Sequence, residues 1–178
     1  MNKSTSGAPQ IARIDWLPRI DFFLDHPAKD VWPLLVHWEK WIKTYRSEHV
    51  SGPIDAVGEI KKISSLAPDG SVSGYFLIEI VRLVPKERLA YRILSRAEFS
   101  LAPVEAIHGY EIFNVYEIGG RTLVTYQTIA EMETSKLSQA EFDAQNAKDL
   151  EVGVRSWHEM YVPELRKLLQ SNCGRVTR

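Results

Sequence analysis

The chain has 178 residues, of which 44% are hydrophobic and 25% charged, and its formal net charge is −1. These values are ordinary for one globular domain, and the near-zero charge argues against a nucleic-acid or acidic-membrane partner. No apolar run approaches the ~18 residues that a membrane-spanning helix needs. The single cysteine excludes an internal disulfide and a thiolate metal site, and it fits a reduced, cytoplasmic setting.

The domain organisation follows from the two ends of the chain and the region between them. Residues 1–10 contain a lysine but no apolar segment after it, so they predict a short disordered tail rather than a signal peptide. One folded domain is expected over residues 11–170, and a second tail over residues 171–178. The sequence shows no internal repeat.

The first predicted element is a strand over Ile11–Leu24. Apolar residues such as Ile20 and Phe22 share one parity, and charged residues such as Asp21 take the other, which is typical of a half-buried strand. Pro18 cannot donate a backbone hydrogen bond, so it indicates an edge position or a bulge.

A helical stretch follows at His26-Pro27, because proline suits the first turn of a helix, where its missing N–H would be unpaired anyway. Apolar residues at helical spacing continue as far as Ile42. Pro33 interrupts them, so the sequence predicts two short helices rather than one long helix.

Strand-like runs then follow one another without a helix-length segment between them, which predicts hairpins of an antiparallel sheet. Turn residues connect the runs, and Gly119-Gly120 is the strongest hairpin signal. The less regular stretch Phe99–Glu105 is expected to form a loop at the mouth of the sheet. The predicted strands are Gly58–Leu66, Gly74–Val84, Arg88–Ser95, Ile107–Ile118 and Arg121–Met132.

The last predicted element is a long amphipathic helix over Leu137–Gln170. Ser138 and Glu141 form a capping box at its start, and an apolar stripe follows on one face. The stripe consists of alanines as far as Ala147 and of bulky residues after it, which predicts room beneath the beginning of the helix. Pro163 is expected to kink the helix.

The order of strand, two short helices, antiparallel strands and long C-terminal helix is similar to the helix-grip fold. Three segments carry the resemblance: Ile20–Lys43, with a proline-initiated helix, a Val-Trp pair and a Trp-rich second helix; Val81–Tyr91, with a proline turn before Arg-Leu and an aromatic residue; and the glycine–threonine hairpin Gly119–Val124. From Ile14 to Leu169 the chain thus resembles the START-like or SRPBCC superfamily, which includes polyketide cyclase/dehydrase-like and birch-pollen-allergen-like proteins. The resemblance implies an α+β domain whose curved antiparallel sheet of about six or seven strands wraps around the C-terminal helix.

Superfamily members include lipid and sterol carriers, hormone receptors, cyclases and Hsp90 activators, so function has to be argued from the pocket. The resemblance implies a small hydrophobic or aromatic partner, no cofactor, and a cavity between sheet and helix that is lined by aromatic and apolar side chains. The identity of the ligand and the oligomeric state, monomer or homodimer, stay open. The predicted lining residues are Phe76, Ile78, Tyr91, Ile93, Tyr110, Ile112, Val124, Tyr126, Val154 and Trp157.

The strand that contains His108 and Tyr110 allows two orientations. If these side chains face inward, the cavity has a polar wall that could orient a substrate carbonyl; if they face outward, Phe113 lines the cavity instead. Glu111 and Glu117 have the opposite parity and favour the first orientation, because burying an unpaired carboxylate is costly. A shift of the strand register by one residue would exchange the side chains that face inward with those that face outward.

Two further features of the sequence bear on chemistry. The five histidines show no spacing that is typical of a metal site, so no metal is predicted. Glu79 lies in an apolar run, and it is expected to point to solvent from the convex face of the sheet, because glutamate is rarely buried without a partner.

Three functions follow as hypotheses. The first is binding of a lipid, isoprenoid or polyketide-like molecule. The alternative is a cofactor-independent polyketide cyclase/dehydratase or aromatase, in which His108, Tyr110 and Tyr126 would act on a bound polyketone. The third is an adaptor similar to Hsp90 activators, which would require an exposed apolar patch.

Overall fold

The computed structural model describes residues 11–97, 105–133 and 137–173. Over these residues the chain forms a seven-stranded antiparallel sheet, a helix after the first strand, and a long C-terminal helix in two segments. The strands are β1 (Ile11–Leu24), β2 (Tyr45–Ser51), β3 (Ile60–Leu66), β4 (Val72–Val84), β5 (Arg88–Ala97), β6 (Glu105–Ile118) and β7 (Arg121–Glu133), and the helices are α1 (Ala28–Val36), α2 (Gln139–Ser156) and α3 (Val162–Cys173). The strand order is β1-β7-β6-β5-β4-β3-β2, so each strand from β2 to β7 pairs with the next one along the chain.

The predicted strands are confirmed, with small differences at their ends, and β2 is the strand that the sequence did not reveal. It lies at the edge of the sheet and pairs with β3 alone. Most of its residues are exposed, so it lacks the apolar alternation by which a half-buried strand is recognised. At the opposite edge, the register of β1 against β7 shifts on both sides of Leu17, which confirms the bulge expected at Pro18.

The region after β1 differs from its prediction. Helix α1 runs through Pro33 and ends at Val36, and a 3₁₀ turn of three residues, Trp38–Lys40, takes the place of a second helix. The expectation that Pro33 separates two helices is therefore wrong. Pro33 is exposed, so water can hydrogen-bond the carbonyl of Lys29, which loses its helical partner there.

The C-terminal helix begins as predicted and has an irregularity in its middle. The Ser138 and Glu141 side chains cap each other's backbone N–H groups, which confirms the capping box. A π-helical turn over Trp157–Tyr161 separates α2 from α3. This turn ends two residues before Pro163, whose ring and missing N–H disturb regular hydrogen bonding, so the disturbance expected there takes the form of a widened turn.

The two segments of this helix pack differently against the sheet. We call the face of the sheet that the helices cover the inner face, and its opposite the outer face. At one end, α1 and α3 cover the inner face together, and Val31, Leu35 and Leu165 are completely buried there; we call this the closed end. Helix α2 packs mainly against β1, and we call the part of the inner face beside this helix the α2 end.

Hydrogen bonds fix α1 and α3 at the closed end. The Thr122 hydroxyl donates to the carbonyl of His26 over 2.6 Å, and the Ala28 amide donates to Glu117 Oε2 over 2.9 Å. Arg166 donates to the carbonyl of Phe23 over 3.0 Å. The closed end is therefore held by polar contacts at its rim and by apolar burial inside.

Candidate ligand-binding site

The inner face of β6 is formed by the residues of odd parity. Phe113 and Val115 are 3% exposed, whereas Tyr110 and Tyr116 are 37% and 50% exposed. The structure therefore has the second of the two orientations that the sequence allowed, with Tyr110 on the outer face. The expectation that Glu111 faces away from the interior is wrong, because it shares the parity of Phe113.

Most of the predicted lining residues face the interior, from the inner face of the sheet or from the C-terminal helix. Seven of them belong to the buried core: Phe76, Ile78, Tyr91, Ile93, Val124, Tyr126 and Trp157. Val154 is partly buried and packs against this core. Tyr110 and Ile112 have to be corrected: they pair with Ile129 and Gln127 of β7, and strand alternation directs both to the outer face. Whether the inward residues contact a ligand stays a prediction.

The three residues proposed for an enzyme do not form one site. Tyr126 is buried on the inner face, 5% exposed, and Tyr110 lies on the outer face. Two side chains on opposite faces of one sheet cannot act on the same substrate. The backbone of His108 belongs to β6, and its side chain lies outside the described part of the chain.

Aromatic rings fill the interior where α2 gives way to α3. Trp157, in the π-helical turn, lies 4.3 Å from the ring centre of Tyr126 and 5.7 Å from that of Phe22. Its ring centre is 6.0 Å from that of Phe113 and 5.3 Å from that of Tyr161. Rings from β1, β6, β7 and the helix thus form one wall, apolar except for two phenol groups and the indole N–H of Trp157.

Two buried phenols of the interior, those of Tyr126 and Tyr91, stay protonated at neutral pH. The Tyr126 hydroxyl accepts a hydrogen bond of 2.9 Å from Thr128 Oγ1. Burial, and next the Glu111 carboxylate, raise the pKa of Tyr126 well above its usual value. Burial, followed by Glu39 and Glu111, also raises the pKa of Tyr91 well above its usual value, and Tyr91 donates to the carbonyl of Val36 over 3.1 Å. Both phenols therefore act as neutral hydrogen-bonding groups.

Glu111 is a polar residue of the interior that the sequence did not identify. It is half-buried, and it pairs with Tyr91 of β5 and Thr128 of β7 in the middle of the inner face. It influences the pKa of Tyr91, Tyr126 and Tyr161, which come from three different elements. The sequence did contain a signal, because Glu111 shares the parity of Phe113 and Val115. The prediction instead gave more weight to the cost of burying a carboxylate.

A charged cluster, formed by Glu39, Asp55, Glu59 and Lys61, lies where the 3₁₀ turn and the β2–β3 loop meet β3. Lys61 Nζ is 3.9 Å from Glu39, 3.8 Å from Asp55 and 3.7 Å from Glu59. Lys61 and Glu59 are 5% and 2% exposed, so these charges are buried in pairs. No group of three or more His, Cys, Asp or Glu side chains among the described residues could hold a metal ion.

The charged cluster also fixes the β2–β3 loop. Glu59 accepts hydrogen bonds of 2.8 Å from the Asp55 amide and of 3.1 Å from His49 Nδ1. The loop turns at Gly52, with φ +82°, where a Cβ atom would overlap the carbonyl oxygen of Gly58, so glycine is required. The sequence offered one signal for this arrangement, the shared parity of Lys61 with the buried Ile63.

A buried hydroxyl near the β2 edge has no hydrogen-bond partner in the described part of the chain. Ser65 lies two residues beyond Ile63 in β3, so it shares the inner face, and it pairs with Tyr45. Ser65 Oγ is buried and, among the described residues, makes no hydrogen bond. Such a group is uncommon, because a buried hydroxyl without a partner destabilises the fold by about 1–3 kcal/mol.

The sheet of sequential hairpins, the first strand beside the last, and the C-terminal helix over the inner face define the α+β helix-grip fold. The helix-grip fold that the resemblance implied is thereby confirmed. No protein-family model matches the sequence, and no curated protein matches it.

None of the described helices is long and apolar enough to span a membrane.

Solved structures share this architecture. The crystal structure of Ara h 8.0201 superposes with a TM-score of 0.63 at 14% identity, over 91% of this chain and 99% of that chain. Norcoclaurine synthase from Thalictrum flavum, in complex with dopamine and hydroxybenzaldehyde, gives 0.57 at 11% identity, over 92% and 88%. Major latex-like protein 151 from Panax ginseng gives 0.54 at 13% identity, over 84% and 98%. At these identities the likeness concerns the fold alone.

Proposed function

We propose that this protein binds a small hydrophobic or aromatic molecule between the inner face of the sheet and the C-terminal helix, at the α2 end. The supporting observation is the difference in packing along that helix. Among the 18 residues of α2 only Phe142 is buried, whereas the 12 residues of α3 include the buried Val162, Leu165 and Leu169. A helix that buries few side chains into the apolar surface beneath it leaves space for another molecule.

The position of α2 indicates which part of the sheet faces this space. Gly153, close to the end of α2, touches Leu17 of β1, which pairs with Thr128 of β7. The earlier turns of α2 therefore run toward the next rows of the inner face, which hold Ile93, Gly109 and Ala130. Gly109 and Ala130 carry little or no side chain, and the Ile93 side chain packs beside them.

Affinity and orientation would come from different parts of the site. Apolar burial contributes ~25 cal/mol per Å², so a ligand that buries about 200 Å² gains roughly 5 kcal/mol before the entropic cost of binding. Glu111, the Thr128–Tyr126 pair and Ser65 Oγ supply polar groups that could fix its orientation. The cytoplasmic setting, the oligomeric state and the enzyme and adaptor hypotheses stay predictions.

The experiment measures binding to the purified full chain. Native mass spectrometry would reveal a co-purified molecule, and a thermal-shift screen with uncharged hydrophobic compounds would identify ligands. Ile93→Trp extends a side chain of the inner face into the proposed space, and Ile112→Trp makes the same change on the outer face. We expect I93W to keep the wild-type melting temperature and lose binding, and I112W to keep both.

Two results would count against the proposal. One is the absence of any co-purified molecule and of any thermal shift. The other is a strong destabilisation by I93W without ligand, because overpacking of a filled interior costs about 1–3 kcal/mol, whereas an open space accepts the larger ring.

A further inference from the structure

The edge strand β2 presents backbone groups with which another strand can pair. We infer that the protein forms a weak symmetric dimer, in which β2 of two copies pair antiparallel about Ser47 and join the two sheets at their edges. The inference concerns the edge of the sheet, whereas the proposed function concerns its inner face, so the two can fail separately.

Hydrogen bonding between β2 and β3 shows which backbone groups of β2 point to the edge. The Leu66 amide donates to the carbonyl of Thr44 over 2.8 Å, and the register then continues without a shift to Ser47, which lies opposite Ile63. Since the hydrogen-bonded residues of an antiparallel pair alternate, every second residue from Thr44 is bonded to β3, and Ser47 is not one of them. The N–H and C=O groups of Ser47 therefore point away from β3, toward an edge that no described strand covers.

The two edges of the sheet differ in how well they allow such pairing. β1 contains Pro18, which has no N–H to donate, and its register shifts on both sides of Leu17. β2 contains no proline, and its register against β3 has no shift between Tyr45 and His49. Prolines and bulges are means by which edge strands avoid pairing with other chains, so β2 is the edge that accepts a strand.

Charges on β2 specify which strand fits this edge and in which register. Arg46 and Glu48 are exposed on the outer face, on the two sides of Ser47. A two-fold axis through Ser47 places Arg46 of each copy opposite Glu48 of the other, whereas an axis through Arg46 or Glu48 places like charges opposite each other. Opposite charges across a strand pair stabilise it, and like charges destabilise it. The strand that fits is therefore β2 of a second copy, centred on Ser47.

The neighbouring charge on β3 is compatible with this register. Lys62 Nζ lies 3.5 Å from Glu48 Oε2 in the same chain, and Arg46 forms no ion pair with a described side chain. In the dimer, the Glu48 carboxylate accepts from Lys62 on one side and from Arg46 of the second copy on the other, since a carboxylate has about four acceptor positions. Pairing thus gives Arg46 a partner without removing Glu48 from Lys62.

The contact is small, so the dimer is expected to be weak and to depend on concentration. Pairing along one short strand is expected to bury less than the ~1,200 Å² that stable interfaces reach, and exposed ion pairs contribute little. Sedimentation velocity of the full-length protein, at concentrations up to about 1 mM, measures the monomer and the dimer directly.

The test reverses the two charges one at a time. Arg46→Glu places carboxylates opposite each other, and Glu48→Arg places guanidinium groups opposite each other, so each variant alone should associate at least about tenfold more weakly than the wild type. An equimolar mixture of R46E and E48R should associate again, because one chain then carries two negative charges at these positions and the other two positive charges. Lys29→Glu makes the same charge change as R46E at an exposed position of α1, and it should dimerise as the wild type does.

Ser47→Pro tests the backbone of the contact. Since the N–H of Ser47 points to the edge and is not bonded to β3, S47P should keep the wild-type melting temperature and lose dimer formation. A protein that is monomeric at every concentration overturns the inference, and so does a dimer that R46E and K29E weaken equally. If the mixture of R46E and E48R stays monomeric, the two strands do not pair about Ser47, and the inference is likewise wrong.

Discussion

The closed end and the α2 end share one sheet but differ in what covers it. At the closed end, α1 and α3 bury Val31, Leu35 and Leu165 completely, and backbone carbonyls at the rim accept side-chain hydrogen bonds. At the α2 end, Phe142 is the only buried residue among the 18 residues of α2. Since burial of apolar surface supplies most of the free energy of folding, the closed end contributes more to the stability of the fold than the α2 end does.

The largest expected effect is that of Trp157→Ala. Trp157 is 6% exposed and contacts four other aromatic rings where the two ends meet. Its removal should lower the free energy of unfolding by about 3–5 kcal/mol, because the rings cannot close the cavity completely. Chemical denaturation monitored by circular dichroism measures this change.

Val152→Ala is the matched control for W157A, since Val152 lies on α2 and is 44% exposed. It should change the free energy of unfolding by less than about 0.5 kcal/mol. A similar loss in both variants would mean that α2 is as important for stability as the closed end, and the distinction between the two ends would not hold.

Lys61→Met should have the second largest effect. The change removes the buried ammonium group and leaves Glu59, 2% exposed, beside two other carboxylates. We expect a loss of about 3 kcal/mol, because breaking a buried ion pair leaves an uncompensated charge. The control is the neighbouring Lys62, whose side chain is 35% exposed and lies next to Glu48. Lys62→Met should lower the free energy of unfolding by less than about 1 kcal/mol.

The double variant Glu59→Gln/Lys61→Met separates charge from packing. If the uncompensated charge is the cause, the double variant should be more stable than K61M alone when both are unfolded by urea. A double variant that is less stable than K61M would instead indicate that the aliphatic part of Lys61 carries the contribution.

The sequence predicted the fold better than the site, and β6 and β3 show why. Turn residues and alternating apolar residues are local signals, so the hairpins and the capping box were found from them. Glu111 and Lys61 also alternate with buried residues, but their burial depends on partners far away in the chain. Lys61 meets Glu39, twenty-two positions earlier, only after α1 and the 3₁₀ turn have packed. A rule that polar residues face solvent therefore fails at the positions that give the interior its charge.

Alkaline pH should reveal the buried phenols. A raised pKa in the folded state means that Tyr91 and Tyr126 stay protonated while the unfolded chain begins to ionise at about pH 10. Their contribution to stability is complete below that pH and is lost as the pH rises above it, so the free energy of unfolding should fall. Urea unfolding over an alkaline pH series measures the slope.

Tyr126→Phe should flatten this alkaline slope, since one of the two phenols is gone. Tyr116→Phe removes an exposed hydroxyl from the outer face and should leave the slope of the wild type unchanged. Equal slopes in the wild type and Y126F would show that the Tyr126 phenol does not resist ionisation in the folded state.

The smallest expected effect concerns the start of α2. Ser138 caps this helix, and its hydrogen bonds lower the pKa of the Glu141 carboxyl in the folded protein. The stabilisation from the cap is therefore complete above the pKa that Glu141 has in the unfolded chain. It is lost as the pH falls through the lower pKa that Glu141 has in the folded protein. Ser138→Ala should cost about 1 kcal/mol at neutral pH and less in acid. Because α2 has little burial to hold it, the loss should appear as faster amide hydrogen exchange in α2 while exchange in α3 stays as in the wild type. If both segments exchange faster to the same extent, α2 and α3 unfold as one unit, and the α2 end could not open independently of the closed end.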